Sequence, residues 1–180
     1  MNDTVKGQVE ASLEHEDHEA LLHVARSHLG WVMRYLSGRL CSDREEEKWC
    51  AIRALGVIVG DTHLVSRQRV VDLLRRFIWA LNDESGTVPY GVPEAIGEIL
   101  AVRPELQGDF LPILCSLLTE ADMVQIGLIE RGALWALGRI GSPVARCSPE
   151  AVAALKVASE THPDCDTRKV AARSLAAVLE

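Results

Sequence analysis

The chain has 180 residues, and 48% of them are hydrophobic, which is enough apolar material for one compact domain. Its 19 Lys and Arg residues and 26 Asp and Glu residues give a net charge of −7. That balance argues against a surface for duplex nucleic acid, because neutralising phosphates requires clustered cations. No run approaches the roughly 20 apolar residues of a membrane helix, so no membrane role is expected.

Cysteine usage and the first ten residues bear on the compartment. The five cysteines are an odd number and contain no C-x-x-C pair: Cys41, Cys50, Cys115, Cys147 and Cys165. This pattern is typical of free thiols in a reducing compartment. Residues 1–10 are polar and lack the apolar core of a signal peptide. We therefore expect a soluble, cytoplasmic protein.

The first 41 residues differ from the rest of the chain. Apolar residues between Val9 and Leu40 recur at helical spacing, which predicts one long helix or two shorter ones. We expect residues 1–41 to form an N-terminal helical cap, since an array of repeats needs an atypical end. The run Ser42-Asp-Arg-Glu45 resembles a capping box and predicts the start of the next helix.

A segment recurs from there at a fixed spacing. Residues 48–60, 89–101 and 130–142 align without a gap at intervals of 41, and a weaker copy at 169–178 follows after 38. Three columns of the alignment are uniform: Ala54, Ala95 and Ala136; Gly56, Gly97 and Gly138; Ile58, Ile99 and Ile140. Small residues allow helices to approach closely, and periods of roughly 40–47 residues are typical of HEAT and armadillo arrays.

The helices predicted after the cap come in pairs. The first pair extends through Trp49–Ile58 and Ser66–Leu81, the second through Pro93–Arg103 and Gln107–Thr119, and the third through Gln125–Ile140 and Pro149–Ser159; Asp166–Leu179 closes the series. No alternating pattern with hairpin signals indicates a sheet. The prediction is an all-α single domain. Its architecture is a right-handed α-solenoid of about three and a half HEAT-like helix pairs, with the repeats at 42–180.

The register also predicts contacts between neighbouring repeats. Opposite charges coincide for Arg53 with Glu94 and for Glu98 with Arg139, which predicts two ion pairs. Another column contains Trp49, Tyr90, Arg131 and Lys169, so that Arg131 could cover the Tyr90 ring. On the second helix of the first pair, a local basic stripe is possible, although interspersed charge is usually a solvated face. That stripe contains Arg67, Arg69, Arg75 and Arg76.

The segment 79–98 departs most from a generic repeat, because it carries more polar residues, prolines and glycines than a helix connection needs. Its Trp-x-Leu-Asn-Asp-Glu-Ser-Gly run at 79–86 leads into Gly-x-Pro-Glu-Ala-x-Gly-Glu at 91–98. In these motifs, and in Trp49 and 131–135, the chain resembles a bacterial HEAT-like family grouped with the PBS-lyase-type repeats. The resemblance covers about residues 43–142 and implies a fold and a surface, but no reaction. Tyr90 stands where other members tend to have Trp.

The residues expected to form the functional surface are drawn from this segment and its aligned neighbours. They are Trp79, Asn82, Asp83, Glu84, Ser85, Tyr90, Glu94, Glu98, Arg131 and Trp135. No hydrolase, nucleotide-binding or Cys/His motif occurs, so we expect a scaffold that binds an unidentified protein or peptide without catalysis. One alternative is an enzyme or small-ligand protein using the acidic and aromatic 79–98 segment. A HEAT-like DNA glycosylase is a distant third, disfavoured by the acidic charge.

No cofactor and no metal are expected. The histidines at His15, His18, His23 and His28 lack the H-E-x-x-H arrangement and are expected on the surface. Asp83, Glu84, Glu94 and Glu98 could together hold a divalent cation, but structural ion pairs are the preferred interpretation for the two glutamates on the helix.

Overall fold

The computed structural model describes residues 2–81, 90–120 and 127–180. Within these ranges every regular element is helical and no strand occurs. The helices are α1 (Asn2–Glu14), α2 (His18–Arg39), α3 (Glu45–Gly60), α4 (Arg67–Leu81), α5 (Val92–Val102), α6 (Gln107–Thr119), α7 (Gly127–Ile140), α8 (Pro143–Cys147), α9 (Pro149–Thr161) and α10 (Cys165–Leu179), with a 3₁₀ turn at Pro104–Leu106. The all-α prediction is therefore confirmed for the described residues.

The N-terminal region forms two helices rather than one. A turn separates them, in which Glu16 has a positive φ of 50° and the Asp17 carboxylate accepts a hydrogen bond from the Ala20 amide at 2.9 Å. This is an N-cap, which satisfies one of the free amides at the start of α2. The short helix α8 was not predicted from the sequence.

The predicted capping box at Ser42 is wrong. Helix α3 begins after Arg44, which makes no side-chain cap, and the Ser42 hydroxyl accepts a hydrogen bond from the Arg44 amide at 3.2 Å. The same hydroxyl donates to Glu47 at 3.1 Å. Three consecutive glutamates, Glu45–Glu47, occupy the first turn, where their negative charges interact favourably with the helix dipole.

Five helices pack side by side in the order α2, α3, α5, α7 and α10. Helices α3 and α5 are parallel, because Lys48 lies against Gly91 near their starts and Gly60 lies against Val102 near their ends. The same holds for α7 and α10, where Arg131 contacts Thr167 and Gly138 contacts Ser174. Helices α6 and α9 pack on this row, and α4 contacts α5.

Each of the three aligned glycines lies against the next helix of the row, and two of the three contacts are equivalent. Gly56 faces Glu98, Gly97 faces Ala136 and Gly138 faces Ser174, so each glycine meets the next helix of the row. A Cβ added to Gly97 would lie 2.5 Å from the Ala136 Cβ and 2.6 Å from its Cα. Such a contact is too short for any side chain to relieve by rotation. The register read from the sequence therefore holds for Gly97 and Gly138, whereas Gly56 meets the Glu98 side chain rather than Ala95.

A buried arginine fixes the connection between α3 and α4. Arg103, only 4% exposed, donates from one Nη to the Val59 carbonyl at 2.9 Å and to the Val65 carbonyl at 3.2 Å, and from Nε to Glu105 at 2.6 Å. The charge is compensated by three acceptors, as a buried cation requires.

We predict that Gly97→Ala lowers the free energy of unfolding by about 1–3 kcal/mol, because the new methyl overlaps the Ala136 backbone. Gly30→Ala is the matched control. Gly30 lies inside α2 with no atom within 4 Å of the added Cβ, so that variant should be neutral or stabilised by up to about 1 kcal/mol. Urea unfolding followed by circular dichroism measures both; equal effects would show that the close approach is not tight.

Candidate functional site

Two tryptophans from non-adjacent helices meet on one face of the helix row. Trp49 of α3 and Trp135 of α7 have ring centroids 4.8 Å apart at an interplanar angle of 66°, an edge-to-face contact. Helix α5 packs between α3 and α7, so the two rings meet across it. Both side chains are half-buried. We call Trp49 and Trp135 the Trp pair.

Polar contacts hold the Trp49 ring in place. Its Nε1 donates to Glu45 Oε2 at 3.0 Å, and the Lys48 ammonium lies 5.8 Å from the ring centroid. Glu45 Oε1 accepts from Lys48 at 2.8 Å, so one carboxylate serves both neighbours. A tryptophan with a satisfied N–H and a nearby cation is held in one orientation.

A buried charged pair lies beside the Trp pair. Lys48 is 7% exposed and Glu94 is 4% exposed, and their Nζ and Oε1 atoms are 4.0 Å apart. Two glycines make room for them. A Cβ at Gly91 would lie 2.8 Å from Lys48 Cγ, and a Cβ at Gly132 would lie 2.5 Å from Glu94 Oε2. Gly91 and Gly132 therefore leave space for the Lys48 and Glu94 side chains.

Glu94 is incompletely paired. Among the described residues, its Oε2 is the buried side-chain oxygen without a hydrogen-bond partner. Burial raises the pKa of Glu94 from its ordinary 4.5 to about 7, against the opposing effect of its own backbone amide and of Lys48. The predicted Arg53–Glu94 ion pair is wrong, because Arg53 instead pairs with Glu16 at 3.3 Å. Glu94 points toward Lys48 and Gly132.

The predicted Glu98–Arg139 ion pair is confirmed. Arg139 donates from Nε to one Glu98 oxygen at 2.6 Å and from Nη2 to the other at 3.1 Å, a bidentate contact between α5 and α7. This contact raises the pKa of Arg139. Glu98 is therefore engaged with an arginine, in keeping with the structural interpretation of that residue.

Arg131 does not cover Tyr90 in the described structure. It pairs instead with Asp164 at 3.3 Å and donates to the Thr167 hydroxyl at 3.2 Å, so it joins α7 to the start of α10. The aromatic partner of Trp49 is Trp135 rather than Tyr90, which is half-buried at the start of α5. The alignment places residues at equal height on neighbouring helices. Trp49 and Trp135 belong to different columns and meet across α5.

Open clefts flank the Trp pair on both sides. The cleft on the Trp49 side, of about 830 Å³, also contains Leu13 and Cys50. Its charged lining is six glutamates and three arginines: Glu10, Glu14, Glu16, Glu45, Glu46, Glu47, Arg39, Arg44 and Arg53. The cleft on the Trp135 side, of about 260 Å³, lies between α7 and α10 and includes Arg139 and Arg173. We call them the acidic cleft and the arginine cleft.

The remaining residues of the expected surface are dispersed or lie outside the description. Trp79 lies near the end of α4 and is 75% exposed. Asn82, Asp83, Glu84 and Ser85 fall outside the described residues. Glu94, Glu98 and Trp135 are brought together by α5 and α7, with Arg131 one turn before Trp135. The contact between Lys48 and Glu94 was not predicted from the sequence. Gly91 and Gly132 could have indicated it, because they leave room for these two side chains.

Within residues 2–81, 90–120 and 127–180, no group of three or more His, Cys, Asp and Glu side chains is placed to hold a metal ion. No helix in that part of the chain combines the length and apolarity needed to cross a membrane. The five cysteines are free thiols.

Comparisons with known proteins bear on the fold. No family model matches the chain. A search of curated proteins also found no match. Among solved structures, the chain is similar to a crystal structure of an engineered protein of the Northeast Structural Genomics Consortium. The two share 22% identity with a TM-score of 0.50, and the match covers 90% of this chain and 71% of the other. The likeness concerns the fold alone.

We predict that Glu94→Gln removes a pH-dependent cost of folding. The folded state holds the Glu94 proton more tightly than the unfolded state. The contribution of Glu94 to the free energy of unfolding therefore falls as the pH rises from about 4.5 to about 7, and it is constant above about 7. Above pH 7 the variant should be more stable than the wild type by up to about 3 kcal/mol, and near pH 4.5 the two should converge.

Urea unfolding of both proteins across this pH range measures the difference. Glu46→Gln, which changes an exposed glutamate in the first turn of α3, is the control; because it retains Glu94, its stability should fall with rising pH as that of the wild type does. A wild type as stable as Glu94→Gln at pH 8 would mean that Lys48 and its neighbours fully compensate the buried carboxylate.

We predict a coupling energy below about 1 kcal/mol for Glu98 and Arg139, because the Arg139 side chain is 42% exposed and solvent screens the pair. A double-mutant cycle with Glu98→Gln and Arg139→Gln, measured by thermal unfolding, gives this value. A coupling near zero would make the bidentate contact irrelevant to stability, and a coupling well above the expected value would show that the pair is effectively desolvated.

Proposed function

We propose that this protein is a non-enzymatic, HEAT-type scaffold that binds a protein or peptide segment across the Trp pair. In this proposal the helix pairs form a right-handed α-solenoid, and residues 1–41 cap its first face. The parallel packing of α3 on α5 and of α7 on α10, with an aligned glycine at each contact, supports the architecture. The free thiols favour the cytoplasm as its compartment.

The observation that carries the binding proposal is the Trp pair itself. Trp49 and Trp135 are half-buried and held in place by packing, and they lie between two open clefts. Tryptophans of this kind are frequent centres of protein interfaces, because they contribute large rigid area at a small entropic cost. Open clefts also suit an extended or helical segment better than a small molecule, which favours an enclosed pocket.

The charges of the two clefts indicate which charges the bound peptide segment should carry. The acidic cleft favours Lys or Arg side chains beside Trp49, whose ring can also contact a cation. Arg173 in the arginine cleft is exposed and makes no ion pair among the described residues, so it is available to a carboxylate beside Trp135. The expected segment is basic at one end, apolar in the middle and acidic at the other.

The test is a selection from a displayed library of random peptides of about 12 residues, long enough to span both clefts. Peptides enriched on the wild type should bind Trp135→Ala and Arg173→Glu at least about tenfold more weakly. Arg173→Glu changes an exposed side chain, so its loss of binding cannot be attributed to unfolding.

Trp79→Ala is the matched control, since it removes an exposed tryptophan from a different helix. Its peptide binding should not weaken, and thermal unfolding should confirm that all three variants fold. The proposal fails if no peptide is enriched, or if the enriched peptides bind the Trp135 and Arg173 variants as tightly as the wild type. Enrichment that follows Trp79 instead would move the binding surface to α4.

A further inference from the structure

Helix α4 presents a basic and aromatic face to solvent. It carries four arginines and one aspartate in a chain of net charge −7. Arg75 and Arg76 lie one turn before Trp79, so the three exposed side chains share one end of the helix. Neither arginine makes an ion pair among the described residues. We call Arg75, Arg76 and Trp79 the Arg–Trp face.

This exposure is unusual for the residue types involved. Trp79 is 75% exposed, whereas the apolar side of the same helix is buried in the core through Val70, Leu74 and Phe77. A large exposed aromatic ring beside cations that form no ion pair in the described part of the chain is a frequent feature of interaction surfaces. Because the apolar side of α4 already faces the core, the helix has no second apolar face to insert into a lipid surface.

The same chain contains a complementary surface. The acidic cleft has six carboxylates against three arginines, and Glu14 and Glu46 in its lining are exposed and make no ion pair in the described part of the chain. Leu13, Cys50 and the Trp49 ring give the cleft an apolar portion. Arginines bind carboxylates through paired hydrogen bonds, and a tryptophan ring packs well against another aromatic ring.

We infer that the Arg–Trp face of one molecule docks in the acidic cleft of a second copy of this chain. Arg75 and Arg76 meet cleft carboxylates, including Glu14 and Glu46, and Trp79 packs beside Trp49. The contact joins two different surfaces, so it produces either a reciprocal dimer or a head-to-tail series. The inference shares the acidic cleft with the proposed function, and a docked copy competes there with a peptide.

Sedimentation velocity on the full chain tests the inference. Between about 5 and about 500 µM, a range that detects weak contacts, the wild type should associate in about 50 mM NaCl, and association should diminish in about 500 mM NaCl because salt screens exposed charges. Arg75→Glu/Arg76→Glu and Trp79→Ala should each weaken association at least about tenfold. Arg26→Glu/Arg34→Glu makes the same charge change on exposed residues of α2 and should associate as the wild type does.

A mixing experiment identifies the two surfaces. The Arg75→Glu/Arg76→Glu variant and a Glu14→Lys/Glu46→Lys variant should each be monomeric alone, because each has like charges at the contact. Mixed in equal amounts they should associate, since the intact Arg–Trp face of the second variant fits the intact cleft of the first.

Three results would overturn the inference: a wild type that remains monomeric at the highest concentration in low salt, a control double variant that loses association equally, or a mixture that stays monomeric. Its failure is separable from failure of the proposed function. Self-association is measured without any peptide, and peptide binding can be measured on the monomeric Arg75→Glu/Arg76→Glu variant, whose cleft is unaltered.

Discussion

The close approach of α5 to its two neighbours is the constraint on which the rest of the structure depends. Gly97 lies directly on the Ala136 backbone, where no larger residue fits, and Gly56 lies against the Glu98 side chain. This closeness places α3 and α7 near enough for Trp49 and Trp135 to meet across α5. The bidentate Glu98–Arg139 pair joins α5 to α7 beside this contact.

The same closeness explains why a charged pair is buried beside the Trp pair. Lys48 and Glu94 occupy space that the missing side chains of Gly91 and Gly132 leave open. Burial of a carboxylate opposes its ionisation, and Lys48 only partly offsets that effect at 4.0 Å. The site thus combines a stable aromatic contact with an adjacent group that is costly to ionise.

The sequence predicted the helical class and the register because both follow from spacing. Glycines and alanines recurring at 41 residues mark the close contacts directly, and the Glu98–Arg139 pair followed from the same alignment. The Arg53–Glu94 and Arg131–Tyr90 contacts failed because alignment gives the height of a residue along its helix but not the direction of its side chain. Glu94 turns toward Lys48, Arg53 toward Glu16 and Arg131 toward α10. The Trp pair was missed because it skips one helix of the row.

That skipped helix changes the energetics of the helix row. In a row of helices that touch only their neighbours, stability is a sum over adjacent contacts and the ends can unfold alone. Here the Trp49–Trp135 contact adds a coupling between second neighbours, and helix α5 cannot leave the row without breaking it. Helices α3, α5 and α7 should therefore unfold together as a single cooperative unit.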